Sequence, residues 1–159
     1  MALKKAIGNE LPLGTVLARR ELMDAWPAAT HGTTFGGNPV ACQAGLATLQ
    51  VTRSENLLAR ATEIGDHVQA RFRAAQAELP VIGDVRGKGL MVAVELVNPD
   101  GSPAVEVIKS VIKELGAQGV VMTKCGPSAL RFAPPLVITR TQADAGVDVI
   151  LEVLRRQRG

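Results

Sequence analysis

Aromatic residues are nearly missing from this chain. It has no tyrosine, one tryptophan and three phenylalanines in 159 residues. Trp26, Phe35, Phe72 and Phe132 are too scattered to build the stacking platforms that hold single-stranded nucleic acid. Cysteine is scarce too. Cys42 and Cys125 form neither a disulfide framework nor a metal-ligand pattern, and they fit a reducing, cytoplasmic compartment. Cys42, in an alanine-rich stretch, reads as a small core residue. The two histidines, His31 and His67, are far apart in sequence and give no support for zinc or another metal. No apolar run approaches the ~20 residues a bilayer-spanning helix needs, and no secretory signal pattern opens the chain, so no membrane partner is expected. Net charge is only +3. Much of the excess lies in the tail Arg155-Arg156-Gln157-Arg158, which aids solubility and makes no case for a nucleic-acid partner.

What remains is an ordinary globular composition, 47% hydrophobic and 21% charged. The length suffices for one domain with a real core, or for parts of two. Met1 to Gly8 runs straight into a motif-like stretch with no leading strand. This predicts either an abrupt start to the fold or a piece of something longer.

The richest stretch is His31-Gly32-Thr33-Thr34-Phe35-Gly36-Gly37-Asn38-Pro39, followed by the small-residue run Val40 to Leu46. Asn38 is a good N-cap, and Pro39 suits a first helical turn. Glycines admit a ligand close to the backbone, and helix N-termini favour anions. The pattern points to an anion, a phosphate above all, near Thr33, Thr34 and Gly36.

Elsewhere the chain reads as follows. A short strand pair is expected around Leu11 to Ala18, with Pro12 at an edge or turn. A short helix follows from Arg20 to Trp26. Ser54 is a candidate N-cap for a helix beginning near Glu55. Its apolar face is Leu57, Leu58, Ala61, Ile64, Val68, Phe72 and Ala75. After Pro80 the composition turns β-branched. Val92, Val94 and Leu96 face one way, and Met91, Ala93 and Glu95 the other. Residues 104–115 read as helix, Val120 to Met122 and Ser128 to Phe132 as strands, and a last helix runs to Leu154, capped by Thr139 or Thr141. The order β-β-α-β-β-α predicts a small α+β or α/β unit with its helices on one face.

A few side chains could carry chemistry. Lys4 and Lys5 read first as solvated charges. The functional alternative is an amine nucleophile. Thr33 and Thr34 could brace a loop or hold an anion, and His31 reads as structural. Arg131 lies between Leu130 and Phe132. Burying it unpaired is costly, so it should meet a carboxylate of the protein or of a substrate. Arg86 reads as a turn residue or a second anion contact, and Lys88 as solvated.

Four of these stretches, in this order, resemble the class III pyridoxal-phosphate-dependent aminotransferases, the group of acetylornithine, ornithine and 4-aminobutyrate aminotransferases. They are Lys5-Ala6-Ile7-Gly8-Asn9-Glu10-Leu11-Pro12-Leu13-Gly14, then His31 to Pro39, then Val85-Arg86-Gly87-Lys88-Gly89-Leu90-Met91, and Leu130-Arg131-Phe132-Ala133-Pro134-Pro135-Leu136-Val137-Ile138. The resemblance implies an α/β fold, the C-terminal part of a fold-type I transferase. Residues 1–79 would end the large cofactor domain with its connecting helices, and 80–159 would form the small α/β C-terminal domain.

The resemblance also implies roles. Lys5, seven residues before Pro12, matches the lysine that forms a Schiff base with pyridoxal 5'-phosphate and then shuttles the proton; Lys4 does not fit that spacing. Thr34, with Thr33 beside it, matches the residue that reaches the cofactor phosphate of a neighbouring subunit, so a homodimer with shared active sites is implied. Arg131 matches the arginine that takes a substrate carboxylate. The substrates implied are an amino acid or ω-amino acid and a 2-oxo acid. Glu10 departs from the glycine usual there. The family's phosphate turn, ring-stacking aromatic and pyridinium-pairing aspartate all precede the lysine. Three readings follow: an aminotransferase when complete, a truncated and inactive chain with exposed apolar surface over residues 1–80, or a phosphate- or carboxylate-binding module without chemistry.

Overall fold

A strand precedes the second lysine after all. In the computed structural model, which describes residues 1–157, β1 (Ala2–Lys4) pairs antiparallel with β2 (Gly14–Val16), Ala2 opposite Val16 and Lys4 opposite Gly14. The expected pairing within Leu11 to Ala18 does not form. A 3-10 turn at Ala6–Gly8, extended by the Leu11 N–H donating to the Gly8 carbonyl at 3.0 Å, commits residues 5–13 to the connection. Only the segment before Lys5 is left to partner β2. Arg158 of the basic tail lies outside the described residues.

Two units make up the chain, Met1–Asn56 and Leu57–Gly159. The first continues with α1 (Arg20–Asp24) and α2 (Pro39–Ser54). Asn38 caps α2 as its sequence predicts, its side chain accepting from the N–H groups of Val40 at 2.9 Å and Ala41 at 3.2 Å. A Cβ on Gly45 would come 2.5 Å from Leu13 Cδ2, and one on Gly8 2.7 Å from Leu13 Cβ. The missing side chain at Gly45 lets Leu13 lie against α2, and the one at Gly8 lets the connection fold back so that Leu13 packs on the 3-10 turn. Cys42 is half-buried rather than a core residue. Among the described hydrophobic residues of this unit, Ala41 alone is fully buried, while Phe35, Val40 and Leu46 are 81%, 66% and 60% exposed. The apolar surface expected over residues 1–80 is therefore concentrated in 1–56.

In the second unit α3 (Leu57–Ala75) begins two residues later than expected. Ser54 ends α2, with its hydroxyl 3.4 Å from the Val51 carbonyl, and Asn56 takes φ +50 between the helices. Asparagine tolerates that left-handed conformation better than most residues. Leu57, Ala61, Ile64, Val68, Phe72 and Ala75 are buried as the periodicity predicts, but Leu58 is 71% exposed. The stripe follows Leu57, and its neighbour falls about 100° round the helix.

The strands are β3 (Ile82–Lys88), β4 (Met91–Leu96), β5 (Thr123–Cys125) and β6 (Ala129–Phe132), with α4 (Val105–Ala117) and α5 (Arg140–Arg156) between and after them. They form one sheet, ordered β3-β4-β6-β5, antiparallel throughout. Val92, Val94, Leu130 and Phe132 pack with Val68 and Phe72 of α3, Ile108 and Leu115 of α4, and Ile150 and Leu154 of α5. The helices therefore cover one face, and the core lies beneath them. Each such side chain contributes roughly 1.5–3 kcal/mol by leaving water. This packing draws α3 into the second unit, so the compact units divide at Asn56 and Leu57, ahead of the composition change near Pro80.

β5 lies three residues beyond the strand expected at Val120 to Met122. The Val120 N–H donates to the Leu115 carbonyl at 2.9 Å, and Gly119 takes φ +80. The end of α4 thereby uses backbone that would otherwise pair. Of the two candidate caps for α5, Thr139 serves, in a reciprocal capping box with Gln142.

A polar clamp joins α3 to α5. Arg140 donates to His67 Nδ1 at 3.0 Å, which leaves the Nε2 hydrogen facing Asp144 Oδ1 at 2.6 Å. Arg71 reaches Asp144 at 3.0 Å and Asp148 at 2.6 Å. The hydrogen bond from His67, then the one from Arg71, outweighs desolvation and holds the Asp144 carboxyl below the usual carboxylate range. A lowered folded value means stability that is present above the ordinary carboxylate range and lost as pH falls through the lowered value. Asp144→Asn is expected to lower the urea midpoint at pH 7, with the deficit shrinking as pH is taken from 5 towards 2. A constant deficit over that range would show that the ionised carboxylate contributes nothing.

Candidate functional site

Each unit places part of the expected site. In the first, Lys5 heads the 3-10 turn, where its carbonyl accepts from the Gly8 N–H at 3.3 Å. Its backbone stands at φ +63 and ψ −100, and its side chain is exposed. For a non-glycine residue that conformation costs about 1–3 kcal/mol, and such strain clusters at functional sites. Nothing in the sequence around Lys5 signals it.

The loop before α2 behaves differently from a simple helix-start anion site. Asn38 takes the N–H groups of Val40 and Ala41, and its own carbonyl accepts from Cys42 at 2.9 Å. The first-turn donors are thus largely satisfied within the chain. Uncommitted instead are the Thr33 and Thr34 hydroxyls, which have no hydrogen bond among the described residues. A side chain at Gly36 would strike the Thr33 methyl. Thr33, Phe35 and Gly36 border a shallow groove of about 600 Å³ with Leu11, Pro12 and Asn38. Lys5 and Thr34 do not line it.

In the second unit Arg131 is not buried in an apolar strand. Leu130 and Phe132 turn into the core, and Arg131, between them, turns to the face that the helices leave open. It therefore has no need of a protein carboxylate, and it makes no ion pair among the described residues. Register carries a row of side chains across this face. Arg86 pairs with Ala93, Ala93 with Arg131, and Arg131 with Thr123. Arg131 and Thr123 line a groove of about 380 Å³ with Phe132, Ile138 and Gln142. Arg86 is already occupied. Its Nη1 lies 2.7 Å from Asp84 and 2.6 Å from Glu95, and these carboxylates raise its guanidinium pKa further.

The structure thus sets Arg131, Thr123, Arg86 and Glu95 on one sheet face, while Lys5, Thr33 and Thr34 belong to the other unit and, among the described residues, share no groove or hydrogen bond there. No local sequence signal marks Thr123 or Glu95 as neighbours of Arg131. The alternation of Met91, Ala93 and Glu95 gives Glu95 its face, but only strand register sets it beside the arginines. Among the described residues no cluster of histidine, cysteine, aspartate and glutamate could hold a metal, and no helix is long and apolar enough to cross a membrane.

The chain belongs to the class III aminotransferase family, whose model matches residues 1–154. It is 37% identical over 154 residues to ornithine aminotransferase 2 of Staphylococcus aureus, covering 96% of this chain and 36% of that protein. It is 36% identical to the 5-aminovalerate aminotransferase of Pseudomonas aeruginosa, over 93% of this chain and 36% of that one. Among solved structures it superposes on a phospholyase from Arthrobacter in complex with phosphoethanolamine, with TM-score 0.92 and 31% identity, over 97% of this chain and 38% of that one. The ornithine aminotransferase of Toxoplasma gondii gives TM-score 0.88 and 30% identity, over 98% of this chain and 36% of that one. The chain thus spans about a third of the length of the relatives it matches.

Proposed function

We propose that this segment supplies the lysine, a phosphate-side loop and the carboxylate-binding arginine of a pyridoxal-phosphate-dependent transaminase. The observation that carries the reading is Lys5, an exposed amine on a strained turn, in a chain of this family. The residues present fit two ends of that cofactor. Lys5 offers an amine to the aldehyde, and Thr33 and Thr34 offer uncommitted hydroxyls to the phosphate. When bound, pyridoxal 5'-phosphate supplies an electron sink for the charge left on the donor carbon.

The chain's own residues do the rest. Lys5 Nζ would hold the cofactor and, once released by the donor amine, would serve as the base that takes the proton from the donor carbon. Arg131 grips the carboxylate of donor or acceptor through its planar fork. The named relatives act on ornithine and 5-aminovalerate, which supports a donor carrying an amine remote from a carboxylate, with a 2-oxo acid as acceptor. Thr34 would serve the active site of a second subunit in a cytoplasmic homodimer.

In a polypeptide of the relatives' full length, borohydride reduction with pyridoxal phosphate present is expected to place the cofactor's mass on the Lys5 peptide. Lys5→Ala should abolish that mass and lower turnover by roughly 10²- to 10⁴-fold or more, the span of a lost general base. Cofactor mass on another lysine would refute the reading. The 159-residue chain by itself is expected to give no turnover, because it spans about a third of its relatives.

A further inference from the structure

The open face of the sheet holds two arginines, Arg86 and Arg131, and two carboxylates, Asp84 and Glu95, which face each other across β3 and β4. Ala93 is the direct cross-strand partner of both Arg86 on β3 and Arg131 on β6. Glu95 lies two residues further along β4, on the same face. It is therefore the diagonal neighbour of both arginines, at the ~7–8 Å separation that long side chains bridge. Ala93 carries only a methyl group and blocks neither path. Glu95 could pair with either arginine, and in the structure it pairs with Arg86 at 2.6 Å. Asp84, two residues before Arg86 on β3 and directly opposite Glu95, holds the same Arg86 nitrogen at 2.7 Å and so fixes the guanidinium beside Glu95. Arg131 has no such second anchor, and its guanidinium is left without an ion pair among the described residues.

We propose that Arg86 is a positioning residue: with Asp84 behind it, it holds Glu95 away from Arg131 and so keeps Arg131 open to a carboxylate ligand. This rests on the reading of Arg131 as the carboxylate-binding residue. It gives the Arg86 motif a task other than touching the ligand. It also explains how a carboxylate can sit one diagonal from a carboxylate-binding arginine without blocking it.

The test is a titration of the whole chain with glutarate, followed at the Arg131 Nε–Hε resonance. Arg86→Gln is expected to weaken glutarate binding about 3- to 5-fold, the competition that a part-exposed ion pair exerts. It should also shift the ligand-free Arg131 resonance as Glu95 swings across. Glu95→Gln in the Arg86→Gln background should restore both affinity and resonance, which a merely structural role for Arg86 would not do. Thermal melting of each variant confirms that it is folded. If Arg86→Gln leaves affinity and the ligand-free resonance unchanged, or if the second substitution restores neither, the proposal is overturned while the role of Arg131 stands. If glutarate fails to move the wild-type resonance, or Arg131→Gln binds glutarate as well as the wild type, the role of Arg131 falls and takes the proposal with it.

Discussion

Expressed by itself, the segment 57–159 is expected to melt in one cooperative transition, and the segment 1–56 by itself to show none. The hydrophobic cluster that would drive cooperativity draws all of its residues from Ala61 to Leu154. It has helices on one side and a four-stranded antiparallel sheet on the other. For about 100 residues, an unfolding enthalpy on the order of 60–80 kcal/mol is expected by calorimetry. The first segment offers Ala41 as its one fully buried hydrophobic side chain among the described residues, against exposed Phe35, Val40, Leu46, Leu22 and Trp26. That burial cannot offset a backbone ordering cost of about 1–2 kcal/mol per residue. The segment 1–56 should bind a hydrophobic dye strongly and aggregate with rising concentration. A cooperative transition in 1–56, or its absence in 57–159, would contradict this division.

Gly65→Ala is expected to destabilise the second unit by about 3 kcal/mol, near the upper end of the overpacking range. A helix interior normally gains from this change, by about 1 kcal/mol. Here a Cβ on Gly65 would meet the backbone of Gly89, coming 2.9 Å from its Cα and closer still to its carbonyl. Gly89 lies in the β3–β4 turn with φ +54, so backbone would have to move on both sides of the contact. The clash exceeds the propensity gain, and a fall in melting temperature of roughly 12 °C or more should follow. Gly116→Ala is the control. It is also helical, with nothing within 4 Å of its added Cβ, and it should stabilise by roughly 0.5–1 kcal/mol. Equal effects from the two substitutions would show that the close approach of α3 to the turn has no energetic weight.

Local signals carried most of the second unit. The three- and four-residue spacing from Leu57 to Ala75 identified the buried stripe of α3, and the alternation from Met91 to Leu96 identified both faces of β4. Asn38 announces α2 by its side-chain chemistry, whereas Thr139 and Thr141 stand as equal candidates for the α5 cap until the structure selects Thr139. What escaped the sequence depends on partners distant in the chain. Arg131 sits between two apolar neighbours in either reading, and only the sheet's single covered face shows that it points to the open side. β5 was displaced because α4 claims the Val120 N–H, a hydrogen bond that composition cannot reveal. Family resemblance is what proposes Lys5, Thr33, Thr34 and Arg131 as a set. Thr123 and Glu95 were not, since strand register alone sets them beside Arg131.

The backbone at Lys5 has one more consequence. With φ +63, position 5 favours glycine, and any L residue there works against the local conformation. Selection for folding alone would replace the lysine, and selection for the proposed amine chemistry would keep it. Stability and activity are therefore opposed at a single residue. An unbiased screen for thermostable variants should drift towards an inert chain at this position, so any such engineering must hold residue 5 fixed and seek its gains elsewhere.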